Sequence, residues 1–210
     1  MTADRSMNRR QFLEKSTLLA AAATAVGTAA RADAQVNSAA GLTVKPVRLG
    51  FIGAGIRGTL LMEAASGIAR APVVAVADCY KGHLDRAQEL IAPAPAVTGD
   101  YTEVIARQDV DAIVIAAPDH WHLKMTQDAL AAGKHVYIEK PMTHSWEQGE
   151  AFIAAAEKSG RVVQVGSQYM SMGCARKAAE FIKSGRLGQV TLVEGKIHRN
   201  SSAGAWYYPI

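Results

Sequence analysis

The chain has 210 residues, of which 49% are hydrophobic and 20% are charged, as in ordinary globular proteins. Its formal net charge of +4 includes no block of lysines and arginines, so the sequence predicts no nucleic-acid partner. The two cysteines, Cys79 and Cys174, lie far apart without CxxC spacing, which argues against zinc and dithiol redox chemistry. We expect two buried free thiols, with a disulfide as the alternative outside the cytoplasm.

Residues 1–34 have the three parts of an export signal: a basic stretch, an apolar segment at 18–30, and an A-x-A cleavage pattern at 32–34. The basic stretch contains Arg9-Arg10 within NRRQFLEKS, which resembles a twin-arginine signal. The apolar segment is shorter than the roughly 20 residues of a spanning helix, so no stable membrane span is predicted. The sequence therefore predicts a periplasmic or otherwise exported protein that meets the twin-arginine export machinery. An amphipathic N-terminal helix is the alternative.

After a linker at 35–46, short apolar segments alternate with helical patterns as far as residue 166. The predicted strands are 47–52, 73–78, 96–98, 111–118, 135–141 and 162–166. The predicted helices are 59–68, 82–91, 101–106, 120–132 and 146–158. Strands that are continuous apolar runs belong in a parallel sheet covered on both faces. The fold class predicted for 47–166 is therefore α/β, a doubly wound parallel sheet of the Rossmann type.

Beyond residue 166 the pattern changes. A helix is predicted at 173–184, a turn at 185–188, and a half-exposed strand at 190–199, where polar and apolar residues alternate. Residues 167–210 are too few for an independent domain of roughly 100 residues. We expect them to be the incomplete start of a second, α+β domain.

The stretch from Gly53 to Gly58 is a GxGxxG turn between an apolar strand and a helix, as a dinucleotide-binding fingerprint requires. Gly53 permits the tight turn, Gly55 lets the backbone approach a pyrophosphate, and Gly58 lets the helix pack closely on the sheet. The N-terminus of the helix would supply free N–H groups to the phosphates. The predicted cofactor contacts here are Gly53, Gly55, Ile56, Arg57, Gly58 and Asp78. Glycine turns without a ligand are the alternative.

Asp78 stands at the end of the second strand, about 20 residues beyond the glycine turn, where an acidic residue binds the adenosine ribose. Its carboxylate would accept hydrogen bonds from the ribose hydroxyls and would repel a 2′-phosphate. The sequence therefore predicts NAD in preference to NADP. Lys81 is close enough in sequence to weaken that preference.

The stretch DVDAIVIAAPDHWHLKMTQDALAAGKHVYIEKPMTHSWEQGEAFIAAAEKSGRVVQVGSQ, together with the glycine turn, resembles the Gfo/Idh/MocA family of nicotinamide-dependent oxidoreductases. The similarity covers about residues 47–200, and its most specific element is Glu139-Lys140-Pro141 at the end of the fifth strand. The resemblance implies that Lys140 is catalytic and reaches the substrate hydroxyl beside the nicotinamide. It also implies cofactor contacts at Pro118, Asp119 and His122, which match the family's turn after the fourth strand.

The chemistry of these residue types agrees with that assignment. Ligands of such sheets bind at the carboxyl ends of the strands, and a lysine there can act as a general acid or base. We expect Glu139 to hold the ammonium group of Lys140, and Pro141 to fix the turn, with a cis peptide bond as one possibility. A solvated lysine at the end of a strand is the alternative.

Five further residues carry weaker expectations. Gln168, just after the sixth strand, is predicted as a cofactor or substrate contact, with an ordinary turn residue as the alternative. His120 and Trp121 would line the pocket or cap the helix, and no third ligand accompanies the histidine pair, so no metal site is predicted. His144 has no context that raises it above a surface or core histidine, and the same holds for His198.

The resemblance implies hydride transfer between a nicotinamide and a carbinol carbon of a sugar or polyol. Because an exported protein has no nicotinamide pool to exchange with, we expect tightly bound NAD(H). The family's second acid–base pair lies in its second domain, which this chain does not reach, so we expect an incomplete chain that forms homo-oligomers when full length. A redox-neutral, NAD-dependent glycosidase and a non-catalytic nucleotide-binding module are the alternatives; the Glu-Lys-Pro signature favours the oxidoreductase.

Overall fold

The computed structural model describes residues 45–168 and 170–196. Six parallel strands form one sheet with the order β3-β2-β1-β4-β5-β6. The strands are β1 (Leu49–Ile52), β2 (Val73–Ala77), β3 (Ala96–Thr98), β4 (Ala112–Ile115), β5 (His135–Glu139) and β6 (Val163–Gly166). The predicted doubly wound sheet is therefore confirmed, and its winding reverses between β1 and β4.

Helices connect the strands. They are α1 (Ile56–Ser66), α2 (Lys81–Leu90), α3 (Tyr101–Ala106), α4 (His122–Ala131), α5 (Gln148–Ser159) and α6 (Gly173–Lys183), and a 3-10 turn at Asp119–Trp121 precedes α4. The first helix begins three residues earlier than the sequence predicts, because only Gly53, Ala54 and Gly55 form the turn. Arg57 and Gly58 consequently lie in the first turn of α1.

Both faces of the sheet are buried, which explains why its strands are apolar runs and do not alternate. Phe51 and Ile52 are neighbours on β1, yet they belong to two different clusters of buried side chains. Phe51 packs with side chains of α1 and α2, whereas Ile52 lies in the cluster with side chains of α3, α4 and α5. The four central strands are thus largely buried, and the carboxyl edge of the sheet at the reversal point is where ligands of such folds bind.

The segment after β6 differs from the sequence prediction. Helix α6 is present, but none of its residues is buried, and residues 190–196 form no strand. The prediction of a strand at 190–199 is wrong for these seven positions, because a strand needs a neighbour for its backbone hydrogen bonds and the described residues supply none. Residues 197–199, and with them His198, lie outside the described residues, as do the leader and residues 35–44.

Two further expectations concern exposure. Both cysteines are free, but both are exposed, so the prediction of buried thiols is wrong. Cys79 follows β2 at the open edge of the sheet, and Cys174 lies on the unburied helix α6. In the described ranges, no helix has the length and hydrophobicity required to cross a bilayer.

Candidate cofactor and active site

The glycine turn after β1 is shaped by close backbone contacts. Gly53 has a φ of +91°, and a Cβ there would lie 2.7 Å from the carbonyl group of Ala116 at the end of β4. A Cβ on Gly58 would lie only 2.1 Å from the Gly53 carbonyl oxygen. Both positions therefore require glycine for the turn and the helix to pack as they do.

Gly55 has a different environment, because its missing side chain faces an opening. The nearest atom to a Cβ at this position is Cε1 of His83, at 3.7 Å. Gly55 is the N-cap of α1, no side chain caps the helix, and no acidic residue lies in its first turn. The free N–H groups and the positive end of the helix dipole are thus available to an anion, and the turn fits the pyrophosphate of a dinucleotide.

Asp78 fixes the turn against β2. Its Oδ2 accepts a hydrogen bond from the backbone N–H of Ala54 at 2.7 Å, and its Oδ1 accepts one from Tyr80 N at 2.8 Å. His83 lies beside it, with Nδ1 at 3.2 Å from Oδ2. The hydrogen bonds that Asp78 would accept from a ribose remain a prediction. Lys81 is directed elsewhere, because its ammonium group binds Asp85 at 2.6 Å.

Glu139 at the end of β5 has partners that the sequence did not suggest. Its buried carboxylate accepts hydrogen bonds from Arg57 Nε at 2.8 Å and from the Tyr137 hydroxyl at 3.3 Å, and Arg57 Nη2 lies 2.7 Å away. Lys140 contacts it only through its backbone N–H, at 3.3 Å. The expectation that Glu139 holds the Lys140 ammonium group is therefore wrong, because Arg57 already neutralises the carboxylate.

The charge of Glu139 affects both partners. Its hydrogen bond raises the pKa of Arg57 above the ordinary value, so the guanidinium is permanently charged. Burial, and secondarily the negative charge of Glu139, raises the pKa of Tyr137. Gly166 on β6 leaves room for this group, since a Cβ there would lie 2.4 Å from the Tyr137 hydroxyl.

Lys140 is exposed at the carboxyl end of β5. It lines a shallow pocket of about 360 Å³ whose other lining residues are Ile56, Arg57, Leu60, Glu139 and Gln168. A second pocket of about 370 Å³ lies across the start of α1, next to Gly55 and His83. The structure thus brings five of the predicted site residues to one side of the glycine turn. Their contacts with a cofactor or substrate remain predictions.

The turn after β4 lies next to the turn that contains Lys140. Pro118 precedes the 3-10 turn, and Asp119 Oδ1 lies 3.3 Å from His144 Nδ1. Chiefly through its hydrogen bond with His144, the pKa of Asp119 is lowered. His122 is 1% exposed, and both of its ring nitrogens face backbone carbonyls; its contact with a cofactor stays a prediction. The peptide bond between Lys140 and Pro141 is cis, as the sequence suggested.

Three of these groups were missed or undervalued at the sequence level: Tyr137, His83 and His144. Tyr137 has the pattern of an ordinary strand residue, and His83 that of an exposed helix residue. His144 became relevant only through its contact with Asp119. In the described ranges, no three or more histidine, cysteine, aspartate and glutamate side chains are arranged to hold a metal ion.

Comparison with known proteins decides the family. The model of the NAD-binding Rossmann fold of the Gfo/Idh/MocA oxidoreductase family matches residues 47–167. The chain belongs to this family. The match covers the whole sheet, the glycine turn and the Glu139-Lys140-Pro141 sequence, and it establishes residues 47–167 as an NAD-binding Rossmann domain.

Glycosyl hydrolases and a dehydrogenase are among the proteins that this chain resembles. Glycosyl hydrolase family 109 protein 2 of Shewanella sp. (strain ANA-3) is 36% identical over 173 residues, and an alpha-N-acetylgalactosaminidase of Shewanella oneidensis is 31% identical over 173 residues; each alignment covers 73% of this chain and 38% of the relative. Scyllo-inositol dehydrogenase of Lactobacillus casei, solved with NAD(H) and scyllo-inositol, has a TM-score of 0.66 at 26% identity, over 70% of this chain and 44% of that one. The chain spans less than half the length of these proteins.

Proposed function

We propose that the protein is an NAD-dependent oxidoreductase that transfers a hydride between the nicotinamide and a carbinol carbon of a sugar or polyol. The observation that carries this proposal is the position of Lys140. Its side chain is exposed in the pocket beside the start of α1, and within the described part of the chain it has no ion-pair partner. A flexible proton donor therefore lies at the edge of the sheet where the cofactor binds.

Lys140, Arg57 and Gln168 have different roles in the proposed reaction. When bound, NAD supplies the acceptor or donor of the hydride. Lys140 moves the proton: its neutral amine takes the proton of the substrate hydroxyl during oxidation, and its ammonium group returns one to the carbonyl oxygen during reduction. Arg57 neutralises Glu139, so the carboxylate does not compete with the substrate for Lys140. We expect the amide of Gln168, which lines the same pocket, to hydrogen-bond a neighbouring hydroxyl of the substrate.

A second function has specific support. The relatives with 31–36% identity are named as family 109 glycosyl hydrolases and an alpha-N-acetylgalactosaminidase. A glycosidase of this kind would oxidise a sugar carbon transiently, eliminate the leaving group and recover the hydride, so that the cofactor is unchanged at the end. The structural neighbour with bound scyllo-inositol supports the oxidoreductase, as does Lys140 in its pocket.

One experiment separates the possibilities. The purified full-length protein is incubated with NAD and either scyllo-inositol, myo-inositol or the p-nitrophenyl glycoside of N-acetyl-α-galactosamine. Growth of the reduced-nicotinamide absorbance band with a polyol supports the oxidoreductase, whereas release of p-nitrophenol without net reduction supports the glycosidase. Bound NAD with neither reaction would support the nucleotide-binding module.

Variants of Lys140 test its role in whichever reaction occurs. Lys140→Met should lower kcat by roughly 10²-fold or more, because a general acid–base group contributes about that factor. The dissociation constant of NADH should stay close to that of the unsubstituted protein. Lys81→Met removes an exposed lysine already paired with Asp85 and serves as the matched control. Full turnover by Lys140→Met would overturn the assignment.

We further propose that the protein is exported in folded form with NAD already bound. The Arg9-Arg10 pair and the A-x-A pattern support export, and the glycine turn supports a loaded cofactor. Changing both arginines to lysine should retain the protein in the cytoplasm, as cell fractionation would show. Protein recovered from the periplasm should contain NAD(H); recovery without nucleotide, together with activity only on added NAD, would contradict the proposal.

A further inference from the structure

The side chain of His122 is enclosed between two turns of the site. It is the first residue of α4, and it is 1% exposed. Its Nδ1 lies 2.6 Å from the carbonyl oxygen of Pro141, and its Nε2 lies 2.9 Å from the carbonyl oxygen of Ala117. The ring therefore bridges the end of β4 and the turn that carries Lys140.

The chemistry of the two partners restricts the state of the ring. A neutral imidazole has one N–H donor and one acceptor nitrogen, whereas a backbone carbonyl oxygen can only accept. In the neutral state, one nitrogen lone pair of His122 would face an oxygen lone pair at hydrogen-bond distance, without access to water. Only the imidazolium, which has two N–H donors, makes both hydrogen bonds.

Nearby charges are compatible with a cation at this position. Asp119 lies in the 3-10 turn just before His122, and the pKa of Asp119 is lowered, chiefly by its hydrogen bond with His144, so this carboxylate is a nearby negative charge. Lys140 precedes Pro141 but is exposed, and Glu139 is already neutralised by Arg57. The two charge-assisted hydrogen bonds offset the cost of burying the ring.

We propose that His122 is an imidazolium that bridges the Ala117 and Pro141 carbonyls and so positions the turn that presents Lys140. His122 acts through this turn and is a positioning residue. This positioning role of His122 is independent of the sequence-based expectation that His122 contacts the nicotinamide directly. The importance of the His122 bridge for turnover rests on the proposed function of Lys140. The charge of His122 and its two hydrogen bonds do not depend on that function.

The test uses the unsubstituted protein labelled with ¹⁵N-histidine, with long-range ¹H–¹⁵N spectra recorded at neutral pH. His122 should show two protonated ring nitrogens. His135 is an internal reference, because its Nδ1 accepts a hydrogen bond from the N–H of Val162 at 3.0 Å and should be unprotonated. A neutral spectrum for His122, with one unprotonated nitrogen, would overturn the proposal whether or not any variant folds.

The positioning role is tested by His122→Gln, with His144→Gln, an exposed histidine of the same turn, as the control. The carbonyl ¹³C chemical shifts of Ala117 and Pro141 should change in His122→Gln and should equal those of the unsubstituted protein in His144→Gln. The Lys140 amide should exchange with solvent about tenfold faster in His122→Gln, since hydrogen bonds from a charged donor are lost. Unchanged resonances and exchange would contradict the bridge. If the protein shows no hydride transfer but the spectra show a His122 imidazolium, the proposed function is overturned and the proposal for His122 stands.

Discussion

The glycine turn after β1 and the Glu139-Lys140-Pro141 turn after β5 lie at the same edge of the sheet, but different forces shape them. The first is fixed by backbone contacts, since a Cβ on Gly58 would meet the Gly53 carbonyl oxygen at 2.1 Å. The second is fixed by polar side chains, because Arg57 binds Glu139 and His122 bridges two carbonyls. The contrast indicates that one turn depends on the absence of side chains and the other on their presence.

The largest effect is expected at the glycine turn. Gly58→Ala should lower the free energy of unfolding by more than about 3 kcal/mol, because the new methyl group overlaps a backbone oxygen that cannot move alone. Chemical denaturation measures the change. Gly67→Ala at the other end of α1 is the matched control, since its Cβ has only Ala64 O at 3.7 Å. Equal stability of the two variants would show that backbone contacts do not fix this turn.

The next effect is expected at the second turn. Arg57→Met should lower the free energy of unfolding by about 2 kcal/mol, because it leaves the Glu139 carboxylate buried without its cation. The value lies below that of a fully buried pair, since the Arg57 side chain is 38% exposed. Glu139→Gln should cost less, because the freed guanidinium reaches water. Chemical denaturation of both variants measures the two losses in the free energy of unfolding. A larger loss in Glu139→Gln than in Arg57→Met would contradict the role of Arg57.

The contrast between the two turns also explains which features the sequence could predict and which it could not. The strands, the helices and the glycine turn follow from local patterns: apolar runs, helical spacing, and glycines a few residues apart. The Arg57–Glu139 pair joins residues that are 82 positions apart, and no local pattern predicts it. Adjacency suggested that Glu139 would pair with Lys140, but its carboxylate binds Arg57 across the sheet edge. His122 could be placed at the site by its motif, but its burial depends on how two loops fold over it.

The C-terminal segment shows a second kind of limit. The alternation in 190–199 is a sound indication of a half-exposed strand, yet residues 190–196 have no strand beside them among the described residues. The two cysteines were also expected to be buried, as free cysteines usually are in folded proteins. Here Cys79 lies on the open edge of the sheet and Cys174 on α6. In both cases the outcome depends on neighbours in space, which a single sequence does not reveal.

The smallest expected effect concerns Tyr137, whose hydroxyl donates a long hydrogen bond to Glu139. Tyr137→Phe should cost at most about 1 kcal/mol at neutral pH, the contribution of an ordinary hydrogen bond. Burial, and then the charge of Glu139, raises the pKa of Tyr137. The folded state therefore favours the protonated phenol, and its contribution to stability is present below pH 10 and is lost above it.

Unfolding temperatures of the unsubstituted protein and Tyr137→Phe, measured from pH 8 to pH 11, check this prediction. The unsubstituted protein should lose more stability than the variant as the pH rises past about 10. Parallel curves for the two proteins would show that Tyr137 is not held protonated by its surroundings.

The central claim is that a dinucleotide binds at the opening left by Gly55. Titration of the protein with NADH, followed by nicotinamide fluorescence, tests it most directly when it is repeated with Gly55→Ala. This variant should fold with nearly unchanged stability, because its methyl group meets only His83 at 3.7 Å, but it should bind NADH at least about tenfold more weakly, since the methyl group occupies the space of the pyrophosphate. Equal NADH affinity of the two proteins would contradict the claim.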